Sequence, residues 1–343
     1  MKLVKRVLIV VLALTVCAAG LWASEAGAAP AKVQKLRIAT HYNQEHLGYA
    51  ALTRIKEALE NKSDGRLAVT IYPSSQLGDY TLTFQELSEG TVDMALIPIP
   101  SEYDSRLEMN FIPYLVNDYA GLESAFSKGS YFFGKYTEIM AGLDIKLLGI
   151  YAEGMIGLGF SVQPAGYRDV NDTSTAKKNL LVRAPAIEVY NLVTQDMGFS
   201  ATTIPYADLY TAMQTGVCNG WIGGTPQLNY SDFRDVIKYY VPYNVFAENI
   251  GLLMSKNIFD GMPSDLQKLV EETVMAEAVR SYATAKEGDE EAIRKMKDYG
   301  IEILELTPAE LEAYKQHIIK VTWPKLSKNI GEDILKELIA ANN

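Results

Sequence analysis

A chain of 343 residues, 48% hydrophobic and 22% charged, has the make-up of a soluble globular protein and room for about two domains. Its 42 acidic against 32 basic side chains give a formal net charge of −10, which argues against nucleic acid or an anionic membrane surface as a partner.

The chain opens on a basic stretch with Lys2, Lys5 and Arg6, then an apolar run over residues 7–17, then Ala26-Gly27-Ala28. That order is a secretory signal, and Pro30 places the cut after Ala28. Removing 1–28 makes the mature chain more acidic still. Val16 stands before Cys17 where a lipidation signal wants a small residue, so an ordinary cleaved leader is expected. Cys218 is then the lone cysteine, too few for an internal disulfide and expected to be buried as a small hydrophobe. No second run of 18 or more apolar residues follows, so no membrane span is expected.

Residues 35–40 alternate as a first strand, and 41–48 form a polar loop at its carboxyl end. An amphipathic helix over 49–62 carries Ala50, Ile55 and Leu59 on one face. A strand over 66–72, a turn-rich loop over 73–79 ending in an N-cap, a helix over 81–89 stopped by Gly90, and an apolar strand over 93–98 complete a β-α-β-α-β unit. That rhythm predicts a parallel sheet with helices on its faces. A loop spans 100–118; helices are expected near 119–128 and 131–143, and a strand over 145–151. The glycine-rich stretch 153–160 reads as a crossing between two lobes, and 246–255 as the crossing back.

Between them, 181–226 reads strand, helix, strand, helix, then a glycine-rich turn at Gly220-Trp221-Ile222-Gly223-Gly224-Thr225-Pro226. The apolar run at its start ends in Arg183, followed by Ala184-Pro185. Ligands of open α/β sheets sit beyond the carboxyl ends of the strands. A guanidinium there matches a carboxylate with two parallel donors. A solvated surface ion pair is the competing reading. A strand over 235–241 follows. From Pro263 the chain is helical to about Tyr299, with a short strand over 301–306 and helices from Pro308 onward.

Catalytic and cofactor signatures are missing. There is no H-E-x-x-H, C-x-x-C, phosphate-binding loop or G-x-S-x-G, and Gly154, Gly157 and Gly159 do not make G-x-G-x-x-G. No catalytic residue, metal or cofactor is expected, and the pattern fits a binder better than an enzyme.

Six segments carry a family likeness: Tyr72-Pro73-x-x-Gln76-Leu77-Gly78; Glu89-Gly90-Thr91-Val92-Asp93-Met94-Ala95; Phe111-Ile112-Pro113-Tyr114-Leu115; Val182-Arg183-Ala184-Pro185; Ile204-Pro205-Tyr206-x-Asp208-Leu209-Tyr210 continuing to Gly216-Val217; and Met262-Pro263-x-Asp265-Leu266-Gln267-Lys268. In this order behind a leader, they resemble the periplasmic solute-binding proteins of tripartite ATP-independent (TRAP) transporters, the DctP family. The resemblance implies an α/β fold of two lobes, each a mixed sheet flanked by helices, joined by hinge strands and a long C-terminal helix. Mapped onto this chain, the leader is 1–28, the first lobe 29–157 with about 251–285, and the second 158–250 with about 286–343. It implies that Arg183 grips the carboxylate of an organic acid. It also implies, as partners, a small-molecule carboxylate and a membrane permease, with the receptor a periplasmic monomer.

Two departures bear on the ligand. Where many members carry a second arginine, this chain reads Glu153-Gly154-Met155-Ile156. Where many have a short Glu-Asn-Pro, it has Trp221 to Pro226. Both remove polar groups, so a monocarboxylate with an apolar or aromatic body is expected, stacked on Trp221 and on some of the 21 tyrosines. Core packing is the alternative for Trp221. His41, Tyr42, Gln76 and the 98–101 segment of the first lobe, and Tyr206, Thr225 and Asn229 of the second, are the remaining candidates. Glu153 would pair with Arg183 or face an amine on the ligand. A binding protein of another transport or sensor system is the runner-up, and a secreted enzyme the distant third.

Overall fold

The computed structural model describes residues 33–342, and from Lys35 onward these form one compact unit. The leader expected at 1–28 lies outside the described residues. The first elements are β1 (Gln34–Thr40), α1 (Leu47–Lys62), β2 (Leu67–Tyr72), α2 (Tyr80–Glu89) and β3 (Met94–Ile97). β1 and β3 pair in parallel, with Ile38 opposite Met94. Helix α1 starts two residues earlier than its apolar spacing predicts, because the His46 side chain accepts from Gly48 N at 3.0 Å and caps it. α2 is capped by Asp79 and closed by Gly90 at φ 77, a left-handed conformation that glycine adopts without strain.

Two turns of 3-10 helix (Ser101–Tyr103 and Ser105–Phe111) lead to α3 (Gly121–Phe126) and α4 (Tyr131–Ala141). β4 (Ile145–Met155) runs on beyond the expected 151 in the first sheet, its pairing with β10 broken only by two register irregularities. After the single residue Ile156, β5 (Gly157–Phe160) enters a second sheet. That sheet is then built by α5 (Thr175–Lys178), β6 (Leu181–Ala184), α6 (Glu188–Asp196), β7 (Ser200–Thr203), α7 (Tyr206–Thr215), β8 (Gly220–Gly224), α8 (Pro226–Phe233) and β9 (Tyr239–Val241).

The stretch expected as a glycine-rich turn is therefore strand β8 followed by helix α8, whose N-cap is Thr225 and whose first residue is Pro226. Its glycines serve packing more than turning. A Cβ at Gly224 would collide with the Trp221 ring, and one at Gly220 with Phe160.

β10 (Ala247–Ser255) returns to the first sheet, between β3 and β4 and antiparallel to both. The segment 247–250, expected in the second lobe, thus pairs with β4 in the first sheet. The two crossings lie side by side: Ile156 N donates to Phe246 O at 2.9 Å and Val245 N to Ile156 O at 3.1 Å. After α9 (Lys256–Asp260), the 36-residue α10 (Ser264–Tyr299) lies along β4 and reaches α8 and β11 (Glu302–Ile303) of the other sheet. It is tied to β4 where Ala152 N donates to Ser281 Oγ at 2.8 Å and Met155 N to Asp289 at 2.9 Å. α11 (Pro308–Ile330) opens with a Thr307–Glu310 capping box. α12 (Glu332–Asn342), expected with the second lobe, packs on α3 and α4, with Ile334, Leu335 and Leu338 in the first-lobe core. The result is two lobes, sheet order β2-β1-β3-β10-β4 and β11-β9-β5-β8-β6-β7, joined by two hinge strands, by the long helix α10 and by α11, which carries the chain back to the first lobe.

Candidate functional site

Between the lobes lies a narrow cavity. His41 after β1, Tyr80 at the start of α2, Pro98 after β3 and Phe111 wall it from the first lobe. Arg183, Pro185, Ile187, Tyr190, Tyr206, Gly223 and Leu228 wall it from the second, and Glu248 from hinge strand β10. Loops at strand ends and helix starts converge there because both sheets turn their carboxyl edges toward the gap.

Arg183 sits on β6 with Thr202 on one side and Trp221 on the other, and Pro185 ends the strand beyond it. It is 1% exposed. Nε donates to Ile204 O at 2.8 Å, the Tyr206 ring lies 6.0 Å from Cζ, and one terminal nitrogen has no hydrogen-bond partner. Burial pulls its pKa down, while Tyr80, Tyr206 and Asp79 work against that pull. A guanidinium stays charged regardless. None of the ion pairs among the described residues includes it. Such a charge, out of water and unmatched, is costly unless an anion completes it.

His41 is also buried, edge-on to Tyr206 at 5.2 Å, with Nδ1 unpartnered. Burial drives its pKa down to about 3, outweighing the attraction of Glu153, with His46 and Arg183 adding to the depression. It is therefore a neutral ring at neutral pH. His41 and Tyr206 also border an outer, more open cleft lined by Asn43, Ser74, Ser75, Tyr210 and Asp232. There Tyr206 OH donates to Asp232 at 2.7 Å and Asn43 Nδ2 to the same carboxylate at 2.7 Å, linking the lobes. Asp79, the cap of α2, accepts from Tyr206 N at 3.1 Å and so also caps the facing helix α7.

Glu153 does not pair with Arg183. Tyr42 OH and Thr225 Oγ1 each donate to its carboxylate, His46 Nε2 lies 3.6 Å away, and its backbone carbonyl accepts from Gln227 at 2.9 Å. Burial alone would raise its pKa; His46 and the hydrogen bonds reverse that and hold it below the usual carboxylate range. Tyr42 stacks on His46 with centroids 3.9 Å apart. Tyr42, Thr225 and Glu153 therefore form a closed polar knot beside the cavity and do not wall it. Asn229 donates to Gly224 O and Thr225 O and serves the start of α8.

Trp221 is 0% exposed and packs 4.5 Å from Phe233 in the core, away from the cavity walls. The expected stacking on it has no place here, because the surrounding glycines draw the indole inward. Gln76 lies exposed on its loop. Of the nine sequence candidates, Arg183, His41 and Tyr206 meet in the cavity. Tyr80, Phe111, Tyr190 and Glu248 were missed. Glu248 and Asn249 left a signal, as the sole polar pair inside the otherwise apolar run of β10.

Cys218 is buried and free, as its isolation implied. Among the described residues, no cluster of three or more His, Cys, Asp or Glu side chains could hold a metal ion, and no helix is long and apolar enough to cross a membrane.

Comparison with known proteins fits this architecture. The model of bacterial extracellular solute-binding protein family 7, DctP, matches residues 38–328. The C4-dicarboxylate-binding periplasmic protein DctP of Rhodobacter capsulatus is 24% identical over 84% of this chain and 85% of its own length. A TRAP periplasmic solute-binding protein of Shewanella oneidensis, solved with succinate, superposes with a TM-score of 0.80 at 21% identity, covering 91% of this chain and all of the other. One from Desulfovibrio salexigens, solved with orotic acid, gives 0.80 at 19%, covering 90% and 98%. At those identities the solved structures speak for the fold alone. The family consists of transport receptors and not of enzymes. The chain belongs to the DctP family of bacterial extracellular solute-binding proteins, the periplasmic receptors of TRAP transporters.

Proposed function

We propose that this receptor captures an organic acid bearing one carboxylate and an apolar or aromatic body, and hands it to the permease subunits of a TRAP transporter. The observation that carries the reading is Arg183: a buried cation with an unpartnered terminal nitrogen, facing a cavity between two lobes. Among the residues lining that cavity it is the one cation, since His41 is neutral. The other walls are largely aromatic or aliphatic. One anionic group on the ligand satisfies Arg183, and a second would stand unpaired against Tyr80, Phe111 and Tyr190. The role expected of Trp221 passes to these rings. Related receptors crystallised with succinate and orotic acid make an acid ligand the natural class.

Closure removes water from the ion pair and strengthens it relative to solvent. The ligand shifts the population toward the closed form because only there does it touch both lobes. The lobes divide near Ile156 and again near Phe246, with α10 and α11 as the further connections. The mature chain starts after Ala28, works in the periplasm and acts as a monomer. Calorimetric titration with benzoate and succinate tests the ligand class. Benzoate is expected to bind more tightly; equal or tighter binding of succinate overturns the single-carboxylate reading.

A further inference from the structure

Two rings from opposite lobes stand between the cavity and the open cleft outside it. His41 of the first lobe and Tyr206 of the second line both spaces, and they meet edge-on at 5.2 Å. The Tyr206 ring also lies beside Arg183, 6.0 Å from Cζ. A ligand on Arg183 therefore sits behind this pair. Asp232, in the last turn of α8, borders the outer cleft and is not among the residues that wall the cavity. Carboxylate capture makes no use of it.

Asp232 nevertheless holds both sides of the mouth. Tyr206 OH donates to Oδ2 at 2.7 Å, and Oδ1 accepts from Ser231 Oγ and from Asn43 Nδ2, each at 2.7 Å. Three donors and no acceptor suit an ionised carboxylate. Asn43 belongs to the loop after β1, in the first lobe. Its Oδ1 accepts from Glu45 N at 2.8 Å and its Nδ2 also donates to Ser231 O at 3.2 Å, so its amide has one orientation. Through its two oxygens Asp232 thus joins a cavity ring of its own lobe to the facing lobe. The neighbouring Arg234–Glu45 pair also crosses the gap, at 2.7 Å, but Glu45 is exposed and such pairs contribute little.

We propose that Asp232 is a positioning residue that sets how long the ligand stays: it fixes the Tyr206 ring against His41 and bolts it to the first lobe through Asn43. The Asn43 bond forms when the lobes close, after the ligand has entered. It slows release and leaves capture unchanged. This rests on a ligand enclosed beside Arg183 and not on which acid it is.

The test follows association and dissociation by stopped flow, with the tighter binder of benzoate and succinate as probe. Asp232→Ala and Asn43→Ala are each expected to speed dissociation about tenfold, the worth of one charge-assisted hydrogen bond, with association unchanged. The double variant should dissociate no faster than Asp232→Ala, because both act through one bond. Asp232→Asn, which keeps an oxygen for Asn43 and offers a nitrogen to the Tyr206 hydroxyl, should recover most of the slow release. Wild-type dissociation rates in the alanine variants overturn the proposal. So do losses that multiply in the double variant, or a loss that falls on association instead. Spin labels at one exposed position of each lobe give a reading without ligand: Asp232→Ala is expected to lower the closed-to-open ratio about tenfold, and an unchanged ratio overturns the proposal. If neither acid binds, the carboxylate reading fails and the ligand-free ratio decides the role of Asp232. If Arg183→Ala binds as tightly as wild type while the alanine variants at 43 and 232 still release faster, the anchor reading fails and the assignment of Asp232 stands.

Discussion

Two buried charges lie beside the hinge, and they are treated in opposite ways. Glu153 is surrounded by its own chain: Tyr42 and Thr225, one from each lobe, donate to its carboxylate, the His46 ring lies 3.6 Å away, and Gln227 donates to its backbone carbonyl. Arg183 receives one backbone carbonyl and two tyrosine neighbours, and no anion. A charge completed from within holds the lobes in register. A charge left incomplete at similar burial has a donor free, which on the proposed reading is met by a ligand. Burial and charge alone do not separate structural from binding roles; the inventory of partners does.

The sharpest way to break this contrast is to remove each charge in turn. Arg183→Ala is expected to weaken ligand binding by about a hundredfold or more, the loss of a buried charge-assisted pair. The thermal midpoint should hold or rise, since an unmatched buried cation is gone. Arg183→Lys should also lose much of the affinity because the planar fork is lost. Titration and melting on the same samples check this, and a variant that unfolds would place Arg183 with Glu153 as a structural charge.

Glu153→Ala should behave the other way. It strands Tyr42, His46 and Thr225 in the interior and is expected to cost about 3 kcal/mol of stability, measured by denaturant unfolding. Its affinity loss, read by titration, should be far smaller than that of Arg183→Ala.

The smallest effect concerns His41, which adjoins both charges. It resists protonation in the folded chain down to about pH 3, while unfolded it takes a proton near its ordinary value of 6.5. Between those values the unfolded state holds the extra proton, so stability falls as pH falls through that window. From pH 6.5 to 5 the loss is about 2 kcal/mol. His41→Gln should remove that contribution. Glu248 and Asp289, whose pKa values are raised by burial, tilt stability in the opposite direction, so the difference between wild type and variant is the informative quantity.

Much of the fold was legible because its signals are local. Alternating strands, the Asp79 cap, the Gly90 stop and Pro185 each act within a few residues, and the β-α-β rhythm follows from them. Arg183 was legible for the same reason, as a charge closing an apolar run before a proline. The stretch from Gly220 to Pro226 was not. Glycines that make room for an indole and a phenylalanine ring look in sequence like glycines that turn a chain, and the difference lies in neighbours sixty residues away, such as Phe160.

By itself, then, the sequence determined the two α/β lobes, the family and the one cation at a strand end. The tertiary structure alone decided what that cation meets. Whether Glu153 or Trp221 faces a ligand or its own chain depends on which side chains from the other lobe arrive beside it. Such encounters join residues far apart in the chain, and no local pattern records them.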